Sequence, residues 1–170
     1  MNSISEQLGK LLRTKKLSMG TAESCTGGRI ANMITLVAGS SDYFVGGVVS
    51  YSNEVKQHVL GVSEESLHQY GAVSREVVEQ MAQGAIRTLG CDCAVATSGV
   101  AGPGGGTPEK PVGTVWIAAA LQGEVVSHCF HFGTVRAENI QAAADAALNL
   151  LLDLLHKPHV FNSTKQGFIG

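Results

Sequence analysis

One stretch, Thr21-Ala22-Glu23-Ser24-Cys25-Thr26-Gly27-Gly28, gathers hydroxyls, a carboxylate, a thiol and two glycines. It follows a short apolar run and leads into Ile30, Met33, Ile34 and Val37, an apolar spacing of helical period. A strand that turns through such residues into a helix leaves the first N–H groups of that helix without partners. Those donors and the positive end of the helix dipole suit an anion. The same turn can present Ser24 to a bound substrate. It can equally be a plain capping turn, with Thr26 as N-cap and Gly27 and Gly28 as connectors.

The thiols and imidazoles carry less. Cys25 lies in the turn, Cys91 and Cys93 flank Asp92, and Cys129 sits in an apolar-aromatic stretch. A C-x-C pair without a second pair is not a zinc pattern, and the better reading is free thiols in a reducing cytoplasm. A redox role for Cys91 and Cys93 is the least favoured, because the pair opens a strand without a partner motif. The histidines are scattered, with no H-E-x-x-H arrangement, and His128 and His131 read as strand residues. No metal site is expected.

Composition bounds the class. A chain of 170 residues, 44% hydrophobic and 15% charged, is one domain with a full core. The net charge is -2, and no Lys/Arg cluster follows Lys15-Lys16, which argues against nucleic-acid and polybasic membrane partners. No apolar run approaches the ~20 residues of a membrane span. Met1 to Lys10 shows no basic-then-apolar signal pattern, so a cytoplasmic location is expected.

The elements that must position these residues alternate between helix and strand. Ile4 to Leu12 has helical period and ends near Lys15-Lys16; Leu17 to Ala22 reads as a strand and Thr26 to Val37 as a helix. Phe44 to Tyr51 is a Val/Gly-rich strand. Asn53 caps a short helix to Leu60, Ser63 to Tyr70 makes another, and Ser74 caps the longer Arg75 to Leu89. A buried strand, Cys93 to Ser98, runs into the glycine-rich loop from Gly99 to Pro108. Gly113 to Leu121 and Glu124 to Phe132 form a hairpin about Gln122-Gly123. Ala137 to His156 is an Ala/Leu helix stopped by Lys157-Pro158. The pattern predicts an α/β fold: a single three-layer α/β/α domain over 1–158 with a mixed sheet, then a polar tail over 159–170.

Four segments, in order, carry a family resemblance. They are Thr21 to Gly28, Gly39-Ser40-Ser41-Asp42-Tyr43-Phe44, Tyr51-Ser52-Asn53-Glu54-Val55-Lys56, and Gly99 to Gly106 with Lys110-Pro111-Val112-Gly113-Thr114-Val115. Gly71-Ala72-Val73-Ser74 adds a further match. Over roughly residues 3 to 155 the chain resembles the C-terminal domain of the competence-damage-inducible CinA family. Stand-alone members of that family include nicotinamide mononucleotide deamidases.

The resemblance implies amide hydrolysis of nicotinamide mononucleotide to nicotinate mononucleotide and ammonia, without metal or organic cofactor. It implies a homo-oligomer whose partner is a small nucleotide. Such chemistry needs a nucleophile, an oxyanion donor and an acid for the departing ammonia. Ser24 matches the nucleophile and Lys56 the family's lysine, a desolvated amine being able to take the serine proton. Tyr51 can relay that proton or hydrogen-bond Ser24, or be a strand aromatic. Substrate contacts are expected from Glu23, Thr26, Gly27, Gly28, Asn53, Gly99, Gly102, Gly104, Gly105 and Arg136. Of these, Glu23 orients the amide or caps a helix, and Asn53 is a cap first and a ligand contact second. The Gly99 to Gly106 loop is a connector or lets backbone approach phosphate or ribose.

One segment departs from the family. Active members carry Gly-Asp-Arg before the last helix and a further arginine near its start. Here Gly133-Thr134-Val135-Arg136 is followed by Ile140 and Gln141, with Arg136 as a substitute shifted by one residue. If the missing arginines hold phosphate or the transition state, their loss weakens catalysis. The alternative is therefore a catalytically weak or inactive paralogue that binds nucleotides in the same pocket. Ser98 replaces the family's threonine and keeps the hydroxyl.

Overall fold

A computed structural model describes residues 1–158; the polar tail assigned to 159–170 lies outside the described residues. Strands β1 (Met19–Glu23), β2 (Phe44–Val49), β3 (Cys93–Gly99), β4 (Thr114–Leu121) and β5 (Glu124–His131) form one mixed sheet in the order β2-β1-β3-β4-β5. β1 is parallel to β2 and β3, whereas β3, β4 and β5 are antiparallel neighbours. The helices are α1 (Ile4–Lys15), α2 (Arg29–Thr35), α3 (Asn53–Leu60), α4 (Glu64–Tyr70), α5 (Arg75–Leu89) and α6 (Arg136–His156). Helices α1, α2 and α6 cover one face; α5 covers the other, with α3 and α4 against it. The expected α/β/α sandwich is what the chain forms. No helix among the described residues is long and apolar enough to cross a membrane.

Side-chain size explains the layering. On the α5 side the sheet presents Ala94, Ala96, Ala118 and Ala120, all buried, which lets α5 lie close. Gly84 of α5 touches the end of α3 so tightly that a Cβ there would stand 1.9 Å from the Leu60 carbonyl oxygen. On the other face, Leu148, Leu151 and Leu155 of α6 meet Leu8, Leu12, Ile30 and Ile34. Each fully buried leucine contributes roughly 1.5–3 kcal/mol.

Two caps differ from expectation. Helix α2 begins at Arg29, and its N-cap is Gly28 in the left-handed region (φ 102), not Thr26. Helix α3 is capped by Ser52, whose hydroxyl accepts the Val55 N–H at 3.2 Å, so Asn53 is its first helical residue rather than its cap. The hairpin turn at Gln122 (φ 33) and Gly123 (φ 87) has both residues at positive φ, the twist that a two-residue hairpin needs.

Topology then creates a crevice. The carboxyl end of β1 feeds α2 on one face, and that of β2 feeds α3 on the other. Such switch points are where open α/β sheets bind ligands.

Candidate active site

Ser24 is the first residue beyond β1, and its N–H donates to the Thr97 carbonyl of β3 at 3.0 Å. The turn behind it is locked by buried Glu23. Its Oε1 accepts the Ile30 N–H at 2.8 Å and the Thr26 hydroxyl at 2.7 Å, and its Oε2 accepts the Ala31 N–H at 3.1 Å. Thr26 Oγ1 lies 2.8 Å from Thr97 Oγ1, which extends the chain of hydroxyls to β3. The free donors expected at the start of α2 are thus occupied by an internal anion. Glu23, Thr26, Gly27 and Gly28 do not line the pocket described below.

Lys56 points from α3 back to this turn. Its Nζ is 3.0 Å from Ser24 Oγ, 2.8 Å from the Ser50 carbonyl and 3.3 Å from the Tyr51 carbonyl. The side chain is 1% exposed, and no carboxylate among the described residues pairs with it. Burial lowers its pKa below the ordinary lysine value, against a smaller opposing influence of Cys25. An ammonium at this position donates to all three oxygens. A neutral amine donates to the two carbonyls and turns its lone pair to the Ser24 hydroxyl, the geometry of a general base.

The other predicted residues divide around a cavity of about 310 Å³. Ser24, Cys25, Tyr51, Asn53, Lys56, Gly99, Gly102, Gly104, Gly105 and Arg136 all line it. Tyr51 does so differently from the expected relay. Its side chain is 64% exposed, and its hydroxyl accepts a 3.4 Å hydrogen bond from Arg136 Nη2 rather than bonding Ser24. Arg136 opens α6, and its Nη1 donates to the Gly102 carbonyl at 2.7 Å. Gln141 lies off the pocket: its Oε1 accepts Arg29 Nε at 2.8 Å and its Nε2 donates to Asp145 at 3.1 Å. In this chain the Gln141 departure therefore bears on α2–α6 packing, not on the cavity wall.

Several contributors were missed. Ala72 and Val73 form a wall of the cavity from the turn before α5, held by the Ser74 hydroxyl donating to the Gly71 carbonyl at 2.7 Å. The match at Gly71-Ala72-Val73-Ser74 was the available signal. Ser98, 1% exposed, also lines the cavity. Asn139 of α6 is buried, and its Nδ2 donates to the Ala101 and Gly133 carbonyls, both at 3.0 Å. No local pattern marks it.

All four cysteines are free thiols. Burial pushes Cys25 up to about 11 and raises Cys91, Cys93 and Cys129 as well, which disfavours the reactive thiolate. Among the described residues no three His, Cys, Asp or Glu side chains are grouped to hold a metal ion.

Comparison with known proteins agrees with this architecture. The model of the CinA C-terminal domain matches residues 1–155. A CinA-like protein of Chloroherpeton thalassium is 48% identical over 157 residues, covering 90% of this chain but 37% of that protein. The chain thus spans little more than a third of the length of that curated relative. The nicotinamide-nucleotide amidohydrolase PncC of Escherichia coli K12 is 52% identical over 130 residues, 75% of this chain and 79% of that protein. The crystal structure of the competence/damage inducible protein CihA from Agrobacterium tumefaciens superposes with a TM-score of 0.84 at 40% identity, covering 92% of this chain and 98% of that one. This chain belongs to the CinA C-terminal domain family.

Proposed function

We propose that the chain hydrolyses the carboxamide of nicotinamide mononucleotide to nicotinate mononucleotide and ammonia, with Ser24 as nucleophile and Lys56 as its base. The buried Lys56 Nζ, 3.0 Å from Ser24 Oγ and with no carboxylate paired to it among the described residues, carries the reading. The 52% identity to a nicotinamide-nucleotide amidohydrolase supports the substrate class. In this mechanism neutral Lys56 takes the hydroxyl proton as Ser24 Oγ attacks the carboxamide carbon. The Cys25 N–H, which donates to no backbone carbonyl among the described residues, faces the developing oxyanion. Collapse breaks the C–N bond, and the Lys56 ammonium returns its proton to the leaving nitrogen, releasing ammonia. Water then attacks the serine ester. Lys56 accepts the water proton and passes it to Ser24 Oγ, freeing the nicotinate product.

The substrate phosphate goes to Arg136 and the glycine-rich loop, because the start of α2 is already occupied by Glu23. The same reading makes the protein a cytoplasmic homo-oligomer acting on a small nucleotide, with no metal or organic cofactor.

Ammonia release from nicotinamide mononucleotide tests this. Ser24→Ala is expected to abolish turnover while retaining binding, and turnover within about tenfold of the parent rejects Ser24 as nucleophile. Lys56→Arg, cationic at any working pH, is expected to be inactive yet to bind. Nucleotide binding without any ammonia release by the parent supports the binding-module alternative instead.

A further inference from the structure

The glycine-rich loop carries six of the cavity-lining positions, Gly99, Val100, Ala101, Gly102, Gly104 and Gly105. Glycine lets backbone approach a ligand but leaves the loop free to wander, so something else must hold it. Its first end is tied by backbone: the Val100 N–H donates to the Thr114 carbonyl and the Gly113 N–H to the Val100 carbonyl, both at 2.8 Å. Beyond Val100, the next two carbonyls, of Ala101 and Gly102, are both claimed by the first turns of α6. Arg136 Nη1 takes Gly102 at 2.7 Å, and Asn139 Nδ2 takes Ala101 at 3.0 Å.

Arg136 is exposed and faces the cavity, whereas Asn139 is 2% exposed and does not line it. Both Asn139 amide hydrogens are used, the second on the Gly133 carbonyl at the entrance to α6. One buried side chain therefore joins three pieces: the ligand-facing loop, the segment leading into α6, and α6 itself. Ser24 follows β1 and Lys56 lies on α3, and the Asn139 side chain hydrogen-bonds neither of them.

We infer that Asn139 is a positioning residue for substrate binding: it holds the Gly99–Gly105 loop and Arg136 in one register without touching the substrate. The kinetic arm of the test rests on the proposed amidohydrolase activity; the structural arm does not. Asn139→Ala removes both donors, and Asn139→Ser retains one in case the alanine variant does not fold. The expected result is a KM raised about tenfold or more with kcat within about threefold, because the Ser24–Lys56 chemistry is untouched. Backbone relaxation measurements are expected to show order parameters at Ala101 to Gly105 falling toward about 0.6 while β3 stays rigid. Unchanged loop order in a folded variant overturns the inference, whatever the activity. So does a fall in kcat at constant KM. If the parent releases no ammonia, the proposed function fails, and the relaxation data alone decide the role of Asn139.

Discussion

The Glu23 carboxylate accepts the Ile30 N–H at 2.8 Å, closing the start of α2 from within the protein. A negative side chain at a helix N-terminus stabilises it through the dipole and satisfies orphan donors. Here it also fixes the turn that presents Ser24, because the residue before the hydroxyl is bolted to the helix after it. The start of α6 is different. Its N-cap, Val135, offers no side-chain acceptor, and its first residue, Arg136, looks into the cavity.

Glu23→Gln keeps the size of the side chain but turns one acceptor oxygen into a donor facing the N–H groups of α2. The variant is expected to lose about 1.5–3 kcal/mol of unfolding free energy in urea, the range for hydrogen bonds to a charged group. Ammonia release should fall with it, because the Ser24 turn loosens. Unchanged stability counts against the cap.

The lowered pKa of Lys56 sets a pH dependence. Activity is expected to rise with pH until the amine is fully neutral and then to level off. Stability follows the same group. The folded pKa lies below the unfolded one, so between the two values the unfolded chain binds more protons and unfolding free energy rises with pH. Below that window the cost of the buried ammonium is felt in full. Lys56→Met removes this contribution. Urea unfolding of parent and variant over a pH series should show their difference changing across the window; parallel curves contradict it.

Two loop glycines separate binding from folding. A Cβ on Gly104 would meet nothing within 4 Å. Gly104→Ala is therefore expected to fold as the parent does and to raise KM by placing a methyl where the ligand approaches. A Cβ on Gly102 would stand 2.4 Å from Val112 Cγ1 at a backbone φ of +88. Gly102→Ala is expected to cost about 1–3 kcal/mol in thermal or urea unfolding. Equal stability of the two variants argues against this loop geometry.

Gln141→Arg tests whether the family's second arginine matters here. The substitution removes the acceptor that holds Arg29 and brings a second cation beside it, partly offset by Asp145. Because the position is off the cavity, kcat/KM is expected to stay within about threefold of the parent. A gain of tenfold or more in ammonia release shows that this position reaches the substrate after all.

The sheet and helices were legible because their signals are local. The 3.6-residue period of α5 and α6, the Val/Gly run of β2 and the Gln122-Gly123 turn each reflect which side of one element meets the core. Ser24 stood out in its strand-to-helix turn, and Lys56 only as a member of a matched segment; their contact joins residues 32 apart. Thr26 was misread as a cap because the true acceptor, Glu23, reaches its helix from the preceding strand. Asn53 was misread because Ser52, one residue earlier, offers the same chemistry. The partner of the Tyr51 hydroxyl is 85 residues away, and Asn139 reaches Ala101 across 38. Local sequence determined which elements form, because periodicity and turn chemistry act over a few residues. Tertiary packing alone decided which polar groups satisfy one another and which remain to face a ligand, because a buried donor takes whatever acceptor the fold brings within 3 Å or so of it.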